Sequence, residues 1–238
     1  MDRSSDTGAL KRAAAEAAAA LVESGMAVGL GTGSTAAFAI AALIRRTRQE
    51  GLNFVAIPTS ERSAIQAREG GLRLTEFSHH HRLDLSIDGA DEIARGSLHL
   101  VKGAGGALLR EKIVAAASDR LVIIADESKL VDQLGLTARV PVEVAVFGWE
   151  TTADRLARMV EPRLRMRADG TAFRTDGGNY ILDCACGAIA DPAALQCALV
   201  QTVGVVDTGL FVGMADVAFV AGRGGVVRLE RAHDAATA

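Results

Sequence analysis

Met26-Ala-Val-Gly-Leu-Gly-Thr-Gly-Ser-Thr35 decides the fold of this chain. Met26 to Leu30 is short and apolar, as a buried strand is. Gly31-Thr32-Gly33 predicts a tight turn, because glycine lets the backbone bend sharply and approach a ligand. An apolar helix is expected from Thr35 to about Arg46. Strand, glycine-rich turn and helix in that order open a parallel α/β sheet. The helix start offers free N–H groups and a positive dipole end, and Thr32, Ser34 and Thr35 add hydroxyls, so the turn favours an anionic ligand. It is not a Walker A loop, since no lysine precedes Ser34. Nor is it G-x-G-x-x-G, since Gly29, Gly31 and Gly33 are evenly spaced, which disfavours a nucleotide-binding dehydrogenase.

The same alternation continues on both sides. Upstream, Thr7 to Glu23 reads as a helix with Asp6 or Thr7 as its N-cap, ended by Gly25. Downstream, strands are expected at Asn53–Ile57, Leu72–Thr75, Leu83–Ile87, Leu98–Val101 and Leu121–Ala125. Helices are expected from Thr59-Ser60 through Arg68 and from about Ala107 to Ala117. After about Arg139 the pattern changes. Val140–Phe147 alternates and holds Pro141, so it is expected as an edge strand. A helix over Thr151–Val160, an alternating run Arg163–Arg167, a strand Asn179–Ala185, a helix from Asp191-Pro192 to about Val203 and a strand Val205–Phe211 complete a β-α-β-β-α-β order, the ferredoxin-like plan. Asp216–Val220 and Val226–Leu229 read as strands returning to the first sheet. The tail from Arg231 is small and polar and is expected to fray.

Composition narrows the function classes. The 238 residues are 49% apolar and 23% charged, a globular balance with enough chain for a substantial core. A net charge of −3 argues against a nucleic-acid partner, which is normally met with a basic face. No run approaches the ~20 apolar residues of a membrane span. The N-terminal stretch lacks the pattern of a secretory leader, so a cytoplasmic location is expected. Cys184, Cys186 and Cys197 fit a reducing compartment better than a disulfide framework, and the C-x-C pair reads as ordinary strand residues. His79-His80-His81 reads as a solvated loop.

Three more loops follow strand ends, which is where ligands bind in open parallel sheets. Ser86-Ile-Asp-Gly-Ala-Asp-Glu92 places Asp88 and Asp91 three apart, able to face one pocket. They could bind sugar hydroxyls, move protons or hold a metal, or simply be solvated loop acids that cap the next turn, and a nearby Lys102 would compete with a metal for them. Lys102-Gly-Ala-Gly-Gly-Ala-Leu-Leu-Arg-Glu-Lys112 joins a strand-end lysine to glycines that open the backbone. Glu111 lies just over a turn into the next helix and could face inward while Arg110 and Lys112 point elsewhere. Taken alone, a solvent-facing Glu111 in a charged run is the plainer reading. Asp126-Glu-Ser-Lys129 offers a lysine for phosphate or simply a capped helix start.

Gly31 to Ala36, Ile87 to Glu92 and Lys102 to Lys112 together resemble ribose-5-phosphate isomerase A. The resemblance continues through Pro58-Thr59-Ser60, Ala125 to Lys129, Pro141 to Val144, Gly178 to Asp183 and Thr208 to Phe211, and spans roughly residues 8 to 229. Small departures are Ala104, where some members have glycine, and Asp176-Gly177-Gly178, where Asp-Asn-Gly is common. The resemblance implies a Rossmann-like domain over residues 1–138 and 212–238 and a smaller ferredoxin-like α+β domain over 139–211. It implies interconversion of ribose 5-phosphate and ribulose 5-phosphate through an enediolate, with Glu111 as base and Asp88, Asp91 and Lys102 as further catalytic residues. It implies substrate contacts from Thr32, Gly33, Ser34, Thr35, Gly89, Ala90, Gly103, Ala104, Gly105 and Lys129. No cofactor and no metal are expected, and a homo-oligomer, dimer or tetramer, is. An amino-sugar-phosphate deaminase-isomerase would want a ring-opening histidine that has no counterpart beside these loops. A catalytically inactive sugar-phosphate-sensing module should lack Glu111 or Lys102, and both are present.

Overall fold

The computed structural model describes residues 3–231. The first half runs α1 (Arg3–Ala19), β1 (Ala27–Leu30), α2 (Ser34–Glu50), β2 (Val55–Pro58), α3 (Glu61–Gly70), β3 (Arg73–Leu74), β4 (Leu85–Gly89), β5 (Glu92–Ala94), β6 (Leu100–Val101), α4 (Leu108–Ala116), β7 (Leu121–Asp126) and β8 (Leu130–Val131). Then come β9 (Val140–Val144), α5 (Trp149–Leu156), β10 (Glu161–Leu164), β11 (Tyr180–Ala185), α6 (Pro192–Val200), β12 (Val205–Thr208), β13 (Leu210–Phe211), β14 (Val217–Gly222) and β15 (Gly225–Glu230).

The main sheet has the order β15-β14-β7-β4-β1-β2-β3. All its pairs are parallel except β14 with β15. β1 and β7 are buried along their whole length, as strands covered on both faces must be. One face packs Val28, Leu30, Ile87, Val122 and Ile124 against Ala14, Ala15 and Ala18 of α1 and Ile40 and Leu43 of α2. The alanines of α1 let that helix lie close on the sheet, which is how a chain so poor in aromatics fills its core. The other face packs Leu121, Ile123 and Ala125 against Leu98, Leu100 and Phe211.

The second sheet is antiparallel with the order β10-β11-β9-β12, covered by Leu156 and Leu199 from α5 and α6. This is the ferredoxin-like plan. One expectation is corrected here: the Pro141 strand is not an edge but lies between β11 and β12. The Pro141 carbonyl accepts from Gly209 N at 2.6 Å, so the missing N–H faces Gly209 O, and that oxygen accepts from Lys102 N at 2.8 Å instead. No donor is lost there. A second correction concerns Val205–Phe211, which is two strands rather than one. The chain breaks at Gly209, where a Cβ would stand 2.2 Å from the Lys102 carbonyl oxygen and 2.7 Å from Pro141 Cδ.

Past that break β13 joins a third sheet, β13-β6-β5-β8, that bridges the other two. Gly209 thereby seats the end of β6 against the antiparallel sheet: Lys102 N donates to Gly209 O at 2.8 Å. α1 is already helical at Arg3, so Asp6 and Thr7 fall inside the helix rather than capping it. Among the other elements, α5 stops at Leu156 and α6 at Val200, each short of the expected end. The tail beyond residue 231 lies outside the described residues.

Candidate active site

The loops that follow β1, β4 and β6 meet at one edge of the main sheet. β1 and β4 are neighbours, and Gly31 N donates to Ile87 O at 2.9 Å. Gly31 must be glycine, because a Cβ there would lie 2.1 Å from Asp88 Oδ1. That oxygen accepts from Thr32 N at 3.0 Å and from Gly89 N at 2.7 Å. The other Asp88 oxygen, Oδ2, is 3.0 Å from Lys102 Nζ. Lys102 Nζ also donates to Gly89 O at 2.6 Å and lies 3.2 Å from Glu111 Oε2. All three side chains are 3–4% exposed.

Glu111 therefore faces inward, against the plainer reading of its charged run. Its neighbours face elsewhere: Arg110 pairs with Glu61 at 2.9 Å and Lys112 with Asp207 at 2.6 Å. Glu111 stands in the first turn of α4, where a carboxylate is favoured by the helix dipole.

One cation among buried carboxylates leaves the group short of positive charge. Burial pushes Glu111 up, the Asp88 charge adds to this, and Lys102 only partly opposes it, so Glu111 is raised to about 8. Asp88 is also raised, by burial first, against the pull of Lys102 and the two N–H donors. Burial would lower Lys102, but Asp88 and Glu111 outweigh it and hold the ammonium charged. Lys102 thus stays charged, and Glu111 holds a proton into the neutral range. Glu111 Oε2 touches Lys102 without hydrogen-bond geometry and has no hydrogen-bond partner among the described residues. Glu111 also borders the cleft, so this oxygen is open to a partner from there.

Lys102 and Glu111 line a cleft at this edge of the sheet. Thr32 to Thr35, Gly89 to Asp91, Lys102 to Gly105, Glu111 and Lys129 all border it. Of the residues singled out in the sequence only Asp88 does not; it sits beneath, under Gly31. The α2 N-terminus carries no side-chain cap, and Gly33 takes φ 117°, so the first N–H groups of the helix have no capping oxygen. Lys129 is the last residue of a short 3₁₀ turn capped by Asp126, whose Oδ1 accepts from Ser128 N at 3.1 Å. Both readings of that segment therefore hold: it is a capped turn and it brings a lysine to the cleft.

Three points were not legible in the motifs. Lys11 of α1 reaches the cleft and donates to Ser34 Oγ at 3.1 Å. Nothing local separates it from Arg12, which lies over the Phe38 ring instead. The Thr32 hydroxyl is within 2.7 Å of both Thr59 and Ser60, whose chain runs on through Ser63 to Gly31 O. It is engaged in a buried hydroxyl network rather than held free for a ligand. Glu92, adjacent to Asp91, turns the opposite way, as alternation along β5 requires. It accepts from Gly135 N, Thr137 N, Thr137 Oγ1 and Ala138 N at 2.6–2.8 Å. Burial works against its charge, but these four donors prevail and hold its carboxyl below the usual range.

The model of the family ribose 5-phosphate isomerase A (phosphoriboisomerase A) matches residues 55–225. The ribose-5-phosphate isomerase A of Gloeobacter violaceus is 58% identical over 222 residues, covering 93% of this chain and 96% of that protein. The chain belongs to the ribose 5-phosphate isomerase A family. Among solved structures, ribose 5-phosphate isomerase A of Methanocaldococcus jannaschii superposes with a TM-score of 0.90 at 36% identity, covering 94% of this chain and 99% of that one. A D-ribose-5-phosphate isomerase in complex with phospho-erythronic acid superposes with a TM-score of 0.91 at 34% identity over the same shares. The Rossmann-like sheet with its smaller ferredoxin-like sheet is thus the architecture of a ribose 5-phosphate isomerase A. His79 and His80 bond locally to Ser78 and Thr75, as a surface loop would. Among the described residues no helix is long and apolar enough to cross a membrane.

Proposed function

We propose that this ribose 5-phosphate isomerase A interconverts D-ribose 5-phosphate and D-ribulose 5-phosphate with Glu111 as the base. The observation that carries the assignment is the buried Glu111 carboxylate, raised to about 8, with an unspent oxygen 3.2 Å from the Lys102 ammonium. A base for carbon acids works best when its pKa lies near the working pH.

The two ends of the cleft divide the substrate. The uncapped α2 N-terminus, Ser34, Thr35, Lys11 and Lys129 supply N–H groups, hydroxyls and positive charge for the phosphate. Binding there anchors the sugar away from the reacting carbons. At the other end Glu111 takes the proton from C2 of the open-chain aldose. The C–H electron pair becomes the C1–C2 double bond, and the C1 carbonyl pair moves onto O1. Lys102 stabilises that charge. O1 gains a proton, O2 loses one, and Glu111 returns its proton to C1 to give the ketose. Asp91 and, from beneath, Asp88 assist ring opening and the hydroxyl proton transfers. The relative bound to phospho-erythronic acid supports this reading, since a carboxylate copies the planar charge of an enediolate.

Lys102 occupies the place between the carboxylates that a metal cation would take, so turnover is expected to survive a chelator. The free thiols Cys184, Cys186 and Cys197 support a cytoplasmic setting. Exposed Phe147 and Val203 support a homo-oligomer, and residues 139–211 form the smaller domain of this reading. The test is conversion of ribose 5-phosphate by purified protein in EDTA with no nucleotide, beside Glu111→Gln. Conversion by the wild type alone supports the assignment. A folded wild type that binds the sugar phosphate without converting it would instead make the chain a sensor.

A further inference from the structure

Arg165, just past β10 in the antiparallel sheet, reaches the glycine loop of the cleft. Its guanidinium is held by Asp183, with Nε donating to Oδ2 at 2.9 Å and Nη2 to Oδ1. The remaining nitrogen, Nη1, donates to Gly103 O at 2.9 Å and Ala104 O at 3.1 Å. The side chain is 14% exposed, so these are sheltered, charge-assisted bonds. The loop it grips carries Ala104 N, which donates to Asp91 Oδ2 at 2.9 Å. Phe173 closes the loop two residues on: Gly106 sits at φ 81° with the ring 2.4 Å from where a Cβ would be, and Arg165 lies 5.8 Å from that ring.

We propose that Arg165 is a positioning residue for the isomerisation: it fixes the Gly103–Ala104 carbonyls, and through the Ala104 N–H it orients the Asp91 carboxylate. A three-glycine loop has the largest backbone freedom to lose, and no other side chain among the described residues hydrogen-bonds to the Gly103 and Ala104 carbonyls. The fork is specific to arginine, because a lysine cannot serve a carboxylate and two carbonyls in one plane. The inference rests on Asp91 acting on the sugar as proposed above.

The test compares Arg165→Lys, which keeps the charge, Arg165→Met and Asp91→Asn. Misplacement of a catalytic group by about 1 Å costs on the order of 10²-fold in rate. Accordingly kcat should fall at least ~10-fold in Arg165→Lys and toward ~100-fold in Arg165→Met. KM should change less than about threefold, since the phosphate end is untouched. Added guanidinium ion should restore kcat in Arg165→Met but not in Asp91→Asn. Loss of thermal stability with kcat within about twofold of wild type, in whichever variant folds, would reduce Arg165 to a structural ion pair. A lower kcat that guanidinium leaves unchanged in folded Arg165→Met would equally overturn the proposal. If Asp91→Asn keeps full turnover, it is the reading of Asp91 that falls; if only the Arg165 variants keep it, the site stands and this inference fails.

Discussion

Lys102 and Lys112 lie ten positions apart and share one aromatic ring, with Phe211 5.3 Å from the first ammonium and 4.9 Å from the second. Both are largely buried and both pair with carboxylates. Lys112 bonds to Asp207 at 2.6 Å and to Thr208 O at 2.6 Å, one acid to one base. Its ammonium is lowered by burial in spite of Asp207. Lys102 faces two buried carboxylates, Asp88 and Glu111, and both are raised. Matching charges makes a structural pair that joins α4 to β12. One acid too many makes a site that must take up a proton, and moving a proton is what the reaction requires.

The largest effect is expected from Glu111→Gln. It should cut kcat by ~10²-fold or more, the scale of losing a general base. The same variant should gain stability at alkaline pH. Glu111 is raised in the folded state from 4.5 to about 8, so the native protein binds the extra proton in that window and loses stability as pH rises through it. Glutamine removes that loss, which thermal melts at pH 6 and pH 9 would register as a larger gain at pH 9. Near-normal turnover in a folded Glu111→Gln would remove Glu111 from the role of base.

A pH profile sharpens the contrast next. Because the base must be ionised, kcat/KM should fall about tenfold per pH unit on the acid side of about 8. A flat profile down to pH 6 would mean that burial and the Asp88 charge do not raise Glu111.

The smallest effect on turnover is expected at the balanced pair. Lys112→Met should leave kcat within about threefold while costing about 3 kcal/mol of stability, the usual result of stranding one member of a buried pair. A large loss of kcat with unchanged stability would erase the distinction between the two lysines.

The same contrast marks how far the sequence could be read. Strands such as β1 and β7, buried on both faces, announce themselves as apolar runs closed by glycine or an acid, so the parallel sheet and its ligand edge were legible. So were Asp88, Asp91, Lys102 and Glu111 as a group, though only the family resemblance separated Glu111 from Arg110 and Lys112. What was not legible depends on partners distant in sequence. β6 and β13 are two residues each and exist because they pair with one another. Pro141 sits inside a sheet because the Gly209 carbonyl opposite it already accepts from Lys102 N. Lys11 reaches the cleft from a helix, and Arg165 reaches its glycine loop from just past β10, and neither local pattern carries a hint of it.

The central claim is that Glu111 holds a proton near neutral pH in the free protein. Carboxyl-carbon NMR of ¹³C-labelled protein, titrated from pH 5 to pH 10 and repeated on Glu111→Gln, tests it directly. The account predicts a carboxyl signal that titrates near 8 and is absent from the variant. If every carboxyl signal has finished titrating below about pH 6, Glu111 is an ordinary ionised partner of Lys102 and the account is contradicted.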